Sequence, residues 1–258
     1  MKPRYYDLNA GSEWIDLKNP PKYSGWDVVC VVREFDPGLK GFIKEAEKHR
    51  SSSDIELLFG ARLYPKNADD VQKKARSALE CGADIVLVAG GDEEINRAAS
   101  ECWEVDVLCH PERVLGKDLM DQKFSGVDDV MARYMAERMI AIEISLSELL
   151  SCYGMVRSQV MGRMRQNIML AKKYGAPLIL TSGAAHLLDM RSPQDLFSLG
   201  VSLGMDAGYA RKALSEYPAM LARKSRDRRS PNVLLSGLEV ISWGGSNQAR
   251  EKKLFGWY

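Results

Sequence analysis

The sequence predicts a parallel α/β fold, a (β/α) barrel of seven or eight strands, on three observations. Residues Ala83–Glu112 hold two short apolar runs, ADIVLVAGG and VDVLCHP, without alternation, as strands covered on both faces require. Between them, Ile95, Ala98, Ala99 and Cys102 recur at three- and four-residue steps, which gives a helix one apolar face. Strand, helix and strand in that order form one right-handed crossover. The same unit repeats along the chain, and 258 residues is a usual length for one barrel. Sustained alternation of this kind favours a barrel over an open sheet.

Taken in order, Tyr5–Asn9 reads as a first short strand ending in polar groups, and Trp14–Tyr23, broken by Pro20-Pro21, as loop or short helix. Trp26–Arg33 is a second strand; Phe42, Ile43 and Ala46 mark a helix that fades into the polar His49–Ser53. Glu56–Tyr64 is a third strand. Asn67–Leu79 keeps helical spacing at Ala68, Val71, Ala75 and Leu79, and Gly82 follows as a helix-ending residue. Asp92, Glu93 and Glu94 crowd the start of the next helix, where the macrodipole favours negative charge. Glu112–Val127 is a longer loop, Val127–Glu137 a helix and Met139–Ser145 a strand. Ser147–Tyr174 is helical with a break at Cys152–Gly154, and Pro177–Ala184 is a strand. Ser192-Pro193 opens a helix that runs to Gly204, because Pro is tolerated in a first turn. Ala207–Arg223 follows as one more helix, and Leu238–Ser242 as a last short strand. Residues 1–230 read as a single domain and 231–258 as a partly flexible extension.

No stretch approaches the roughly 18 apolar residues of a membrane span, and the start, MKPRYYDLNAG, has no apolar leader segment. A cytoplasmic protein with no membrane partner is expected. The five cysteines, odd in number and without CxxC spacing, read as small buried apolar residues in a reducing compartment. Charge is divided: residues 1–148 carry 20 basic and 28 acidic groups, residues 149–258 carry 16 and 7. That asymmetry suits an anionic partner for the second half, or is a bias without a partner.

In a barrel, chemistry belongs at the carboxyl ends of the strands. Those positions read Asp7 and Asn9, Gly90-Gly91-Asp92, His110, Glu143 and Ser145, and Ser182-Gly183 with His186 beyond. Such a rim could hold a metal for hydrolysis, but three histidines undersupply a two- or three-metal centre. The plainer reading is a polar rim hydrogen-bonded to strand ends. The Gly90-Gly91-Asp92 turn is either a phosphate cradle or, more simply, a tight strand-to-helix turn; no Walker A or dinucleotide fingerprint supports the first. More telling is Leu149–Leu188, which contains no Asp or Glu and carries Arg157, Arg163, Arg165, Lys172 and Lys173. Val156, Val160, Met164, Ile168 and Ala171 form its apolar stripe, Arg165, Lys172 and Lys173 fall off that stripe, and Met155, Met161 and Met169 read as packing. A cationic, acid-free helix surface suits phosphate backbones. The run Arg223–Arg229 is either a second such surface or a solvated flexible loop.

Several of these pieces recur in one known family. They are Tyr6-Asp7-Leu8; Gly91 with Ile95-Asn96-Arg97; Val105-Asp106-Val107-Leu108 leading to His110-Pro111; and Ile142-Glu143-Ile144-Ser145 with Leu149-Leu150. Further on come Lys173-Tyr174, Ser182-Gly183-Ala184, Met190-Arg191-Ser192-Pro193-Gln194-Asp195-Leu196, Ser198-Leu199-Gly200, Leu203-Gly204-Met205 and Tyr217-Pro218. As an ordered set, these make the chain resemble archaeal ribonuclease P protein component three, the counterpart of the eukaryotic thirty-kilodalton subunit. The resemblance implies a TIM-barrel-like fold related to the PHP metal-dependent phosphoesterases. Where those enzymes carry His-x-His on the first strand, this chain has Asp7-Leu8-Asn9. The implied role is that of a ribonuclease P subunit, in a complex that removes the 5′ leader from precursor tRNA. The RNA subunit would hold the catalytic Mg²⁺, with no cofactor on this chain. A pair with component two would stabilise the folded RNA, and components one and four would act on another RNA region. The candidate RNA contacts are Arg97, His110, Arg113, Lys117, Lys123, Arg163 and Arg165, the first five expected close together on the rim. Two alternatives compete: a PHP-type metal-dependent phosphoesterase, and a small-molecule barrel enzyme with its ligand at the Gly90-Gly91 turn.

Overall fold

The computed structural model describes residues 3–12, 25–50, 55–113, 118, 123–235 and 238–244. Seven parallel strands, β1 (Tyr6–Gly11), β2 (Val28–Glu34), β3 (Glu56–Leu63), β4 (Ile85–Ala89), β5 (Val107–Cys109), β6 (Ala141–Ser145) and β7 (Leu178–Thr181), pair as neighbours in chain order. The sheet curls into a TIM-barrel-like barrel in which β1 and β7 stand side by side, yet among the described residues no backbone ladder joins them. Val28, Cys30 and Val32 point into the barrel with Leu58, Leu87 and Ile179, while Val29 and Val31 face the surrounding helices. Two separate cores result, one inside the sheet and one outside it, which is why the strand sequences are apolar at consecutive positions.

The outer layer comprises α1 (Leu39–Arg50), α2 (Ala68–Glu80), α3 (Glu93–Glu101), α4 (Asp129–Arg138), α5 (Leu146–Ser151), α6 (Gly154–Tyr174), α7 (Pro193–Ser202) and α8 (Ala207–Leu214). Local chemistry sets their starts. The Asn67, Asp92 and Asp128 side chains accept N-terminal amides of α2, α3 and α4, and Ser192 with Asp195 forms a full capping box on α7. The break expected at Cys152–Gly154 separates α5 from α6.

The end of the chain departs from expectation. The helix expected over Ala207–Arg223 is two, α8 and α9 (Glu216–Arg229), divided at Ser215. The run Arg223–Arg229 is therefore helix and not a solvated loop. Leu221 and Ala222 join the core inside the barrel, and Lys224, Ser225 and Arg228 are buried, so α9 closes the end where the strands begin. Leu238–Glu239 is no barrel strand but the second arm, β9, of a small antiparallel pair with β8 (Val233–Leu235). The segment Trp14–Tyr23 and the tail from residue 245 lie outside the described residues.

What draws a cationic helix against a barrel floor is buried acid. Asp106, directly ahead of β5, is fully buried and meets Arg228 at 2.6 Å and Lys224 at 3.1 Å. Its Oδ2 also accepts the Val86 amide at 3.0 Å. Lys224 Nζ donates further to the carbonyls of Val105 and Arg138, both at 3.2 Å. Asp84, one strand over, accepts the Phe59 amide at 2.7 Å and Arg50 at 2.8 Å and also faces Arg229. Burial works to raise the Asp106 carboxyl, but Arg228 and Lys224 outweigh it and hold the group below the ordinary aspartate range.

Removing Asp106 leaves two buried cations without their carboxylate, so Asp106→Ala is expected to cost about 3–5 kcal/mol in urea unfolding; a loss below about 1 kcal/mol would show that α9 does not depend on this ion pair. Because the folded carboxyl is depressed, its contribution is present above the unfolded aspartate range and is lost as pH falls through the folded value.

Candidate functional site

The polar residues at the strand tips are brought together, but they bind one another. Between Asp7 and Ala10 the pairing of β1 with β2 slips, a bulge that re-aims Asp7 and Asn9. Asp7 Oδ2 accepts the Ser182 hydroxyl at 2.5 Å, and Oδ1 accepts the amides of Ser182 at 3.3 Å and Asn9 at 3.2 Å. The Gly11 amide adds a bond to the Ala184 carbonyl at 2.7 Å. These contacts cross from β1 to the end of β7 and close the gap that lacks a ladder. Asn9 donates to Glu143 Oε1 at 2.6 Å and accepts from Arg62, and Thr181 donates to the same Glu143 oxygen at 2.5 Å. Burial acts to raise the Glu143 carboxyl, but His110 and the Thr181 and Asn9 donors keep it below the ordinary range. For Asp7, burial outweighs the Ser182 and Asn9 donors and pushes its pKa up to about 7.

This donor set does not fit the metal centre that the His-x-His relatives imply. Both oxygens of Asp7 are occupied, and Asn9 uses its oxygen for Arg62. Among the described residues no group of three or more His, Cys, Asp or Glu is disposed to hold a metal ion.

The Gly90-Gly91-Asp92 turn likewise has its donors engaged. Gly90 N–H bonds the Cys109 carbonyl at 2.7 Å, and Asn96 Oδ1 accepts Gly91 N–H at 3.2 Å. Asp92 Oδ1 takes the amides of Glu94 and Ile95. The turn is a tight strand-to-helix connection, the simpler of its two readings. Asn96 is its hub: Nδ2 reaches the Gly126 carbonyl at 3.0 Å and so ties the β5–α4 loop to α3. Gly126, at φ +78°, leaves no room for a side chain, since a Cβ would overlap the Pro111 carbonyl.

The candidate cations fall into distinct settings. Arg97 is half-exposed and pairs with Asp128 at 2.5 Å. Arg113, 52 % exposed, is held by Glu148. His110 is nearly buried at φ +50°, with Nδ1 3.7 Å from Glu148 and 3.8 Å from Glu112. Burial works against its protonation, but Glu112 and Glu143 outweigh that and raise its pKa. Lys123 lies on the loop that Gln166 of α6 pins through backbone bonds of 2.6 and 2.7 Å. Arg165 is exposed and reaches the Ser202 carbonyl. Arg163, expected on the surface, is 8 % exposed and turned inward to Asp118 at 3.0 Å and the Glu112 carbonyl at 2.9 Å. A guanidinium so placed holds the β5–α4 loop and does not face a phosphate. Lys117 lies outside the described residues.

Two further expectations change. Met155 and Met169 are exposed, and only Met161 packs as foreseen. Cys30, Cys102 and Cys109 are buried, but Cys81 and Cys152 are only partly so. The reading of residues missed Asn96, Arg62, Glu148 and Gln166 as loop-setting groups. The signal available for Asn96 was a polar residue on the inward face of α3, five positions after Gly91.

Known proteins match this chain along nearly its whole length. The family model described as RNase P subunit p30 matches residues 5–230. Ribonuclease P protein component 3 of Methanosarcina barkeri is 32% identical over 254 residues, 94% of this chain and 98% of that protein. Its namesake from Methanothermobacter thermautotrophicus is 31% identical over 201 residues, 78% of this chain and 79% of that one. A chain in a cryo-EM structure of archaeal Ribonuclease P with mature tRNA superposes with a TM-score of 0.75 at 26% identity, covering 92% of this chain and 98% of that chain.

The Asp7 carboxyl binds its proton more tightly when folded than unfolded, so its burial weakens the fold as pH rises from about 4 to about 7. Asp7→Asn, which keeps an acceptor for Ser182 and cannot ionise, is expected to remove that slope from the thermal midpoint measured against pH. An unchanged slope would mean that the Asp7 pKa is the same in the folded and unfolded chain.

Proposed function

The chain belongs to the RNase P subunit p30 family, and on that ground we propose that it serves as a protein subunit of ribonuclease P, acting on the catalytic RNA and not on a substrate of its own. One observation carries this reading: a superposition that covers 98% of a chain of archaeal Ribonuclease P. The geometry supports it from the other side. A TIM-barrel-like enzyme presents free groups at its strand tips, and here Asp7, Asn9, Ser182 and one oxygen of Glu143 are taken up by contacts among the strand ends. Hydrolysis of the 5′ leader of precursor tRNA then rests with the RNA and its Mg²⁺.

The chain's contribution is cationic. Bringing RNA helices together is opposed by phosphate repulsion, and fixed Arg and Lys groups lower that cost without reading sequence. Arg97 sits on α3, Arg113 and Lys123 on the β5–α4 connection that Asn96 and Gln166 hold, and Arg165 lies on the exposed side of α6. These four, with Lys117 from the sequence between Arg113 and Lys123, are the groups we assign to RNA. His110 and Arg163 support them from beneath. Component two is the protein with which this chain would stabilise the RNA, while components one and four act elsewhere.

Reconstituted cleavage of precursor tRNA, with and without this chain, tests the reading. Adding the chain together with component two should raise the rate or lower the Mg²⁺ requirement. RNA retention should fall steeply between roughly 50 and 200 mM salt, as counterion release dictates. No change in rate or Mg²⁺ requirement on omission, or metal-dependent turnover of a phosphate ester by the chain alone, would sink it.

A further inference from the structure

Four large apolar side chains stand in solvent within seven residues where α5 meets α6. Leu150 is 49% exposed, Tyr153 76%, Met155 89% and Val156 56%, and no other stretch of that length among the described residues carries as many. Single exposed apolar residues need no explanation, but a cluster does. Val156 begins the stripe that continues through Val160, Met164 and Ile168; those three are buried against the barrel, whereas Val156 is not. Local helix stability does not account for the choice of residues. Tyr153 fills the N-cap position of α6, makes no side-chain capping bond, and stands where Ser, Thr, Asp or Asn would serve the helix better.

The chain that forms the corner carries charge of one sign. Glu148 is buried and held by Arg113, and the next forty residues contain no acid. The Arg157 guanidinium lies over the Tyr153 ring at 5.2 Å. A phosphate backbone gains nothing from Leu150, Met155 or Val156, which offer it no donors. A protein element with apolar side chains would bury them, and carboxylates at its border would meet the arginine.

We propose that the α5–α6 corner is the seat of a protein partner whose docking element presents apolar side chains bordered by Asp or Glu. This rests on the reading of the chain as a ribonuclease P subunit, which supplies protein partners to test. The variant is Tyr153→Ser with Met155→Ser in the full chain, and the control is Leu238→Ser, an exposed apolar residue on the β8–β9 pair. Each purified protein component of ribonuclease P is titrated against the three chains, alongside RNA retention, thermal midpoint and sedimentation of each chain alone.

One component is expected to bind the double variant at least tenfold more weakly and the control as tightly as the wild type, with RNA retention and thermal midpoint unchanged. Three results overturn the proposal: every component binds the double variant like the wild type; RNA retention falls while protein binding holds; or the wild type self-associates and the variant does not. Should the double variant lose its thermal transition, Met155→Ser alone, at the most exposed position, decides between the same outcomes. Failure here with intact stimulation of tRNA processing misassigns only the corner; failure of the wild type to affect processing removes the subunit reading itself.

Discussion

A seven-stranded barrel has two free edges to reconcile, and the Asp7 carboxylate is the group that reconciles them. The contact is short-range and polar, and it lies in the middle of what would otherwise be reactive ground. Asp7 takes a hydroxyl and two amides, Asn9 and Thr181 converge on Glu143, and Arg62 covers Asn9. Each bond that holds β1 to β7 occupies a lone pair or donor that a catalyst would need to keep free. Closing the barrel thus consumes much of the polar chemistry at its rim.

The barrel's other end obeys a similar logic with the sign of charge reversed. Asp84 and Asp106, placed just ahead of β4 and β5, are acids in a floor with little water, and each needs a cation. α9 brings Lys224 and Arg228, a single helical turn apart, to Asp106 and Arg229 to Asp84, which Arg50 of α1 also meets, while Leu221 and Ala222 enter the inner core. A run of arginine and lysine thus divides between inward groups that secure the fold and outward ones in solvent.

Much of this architecture was readable in advance, because burial on both faces leaves an unmistakable imprint on strand sequences. The seven strands, the interruption at Cys152–Gly154 and the start of α7 at Ser192-Pro193 all follow from apolar spacing and capping chemistry. α9 escaped because composition treats every arginine as solvated; only the spacing of Lys224 and Arg228, with an aspartate opening the run VDVLC, hinted at burial. Arg163 escaped for the same reason: its partners, Asp118 and the Glu112 carbonyl, are more than forty residues away in the chain. Asn96 could be placed on a helix, but its role depends on where the β5–α4 loop returns, which no local pattern records.

The floor of the barrel has a temporal consequence. Asp106 and Arg228 are separated by 122 positions, so the acid must wait for a segment made long after its own strand. During synthesis the inner core therefore remains uncapped until residues 216–229 have left the ribosome, and the final docking step is a long-range one of the kind that slows folding. Until then, the nascent barrel exposes an apolar lumen with the Asp106 carboxylate at its base lacking its cations, both of which the mature molecule conceals.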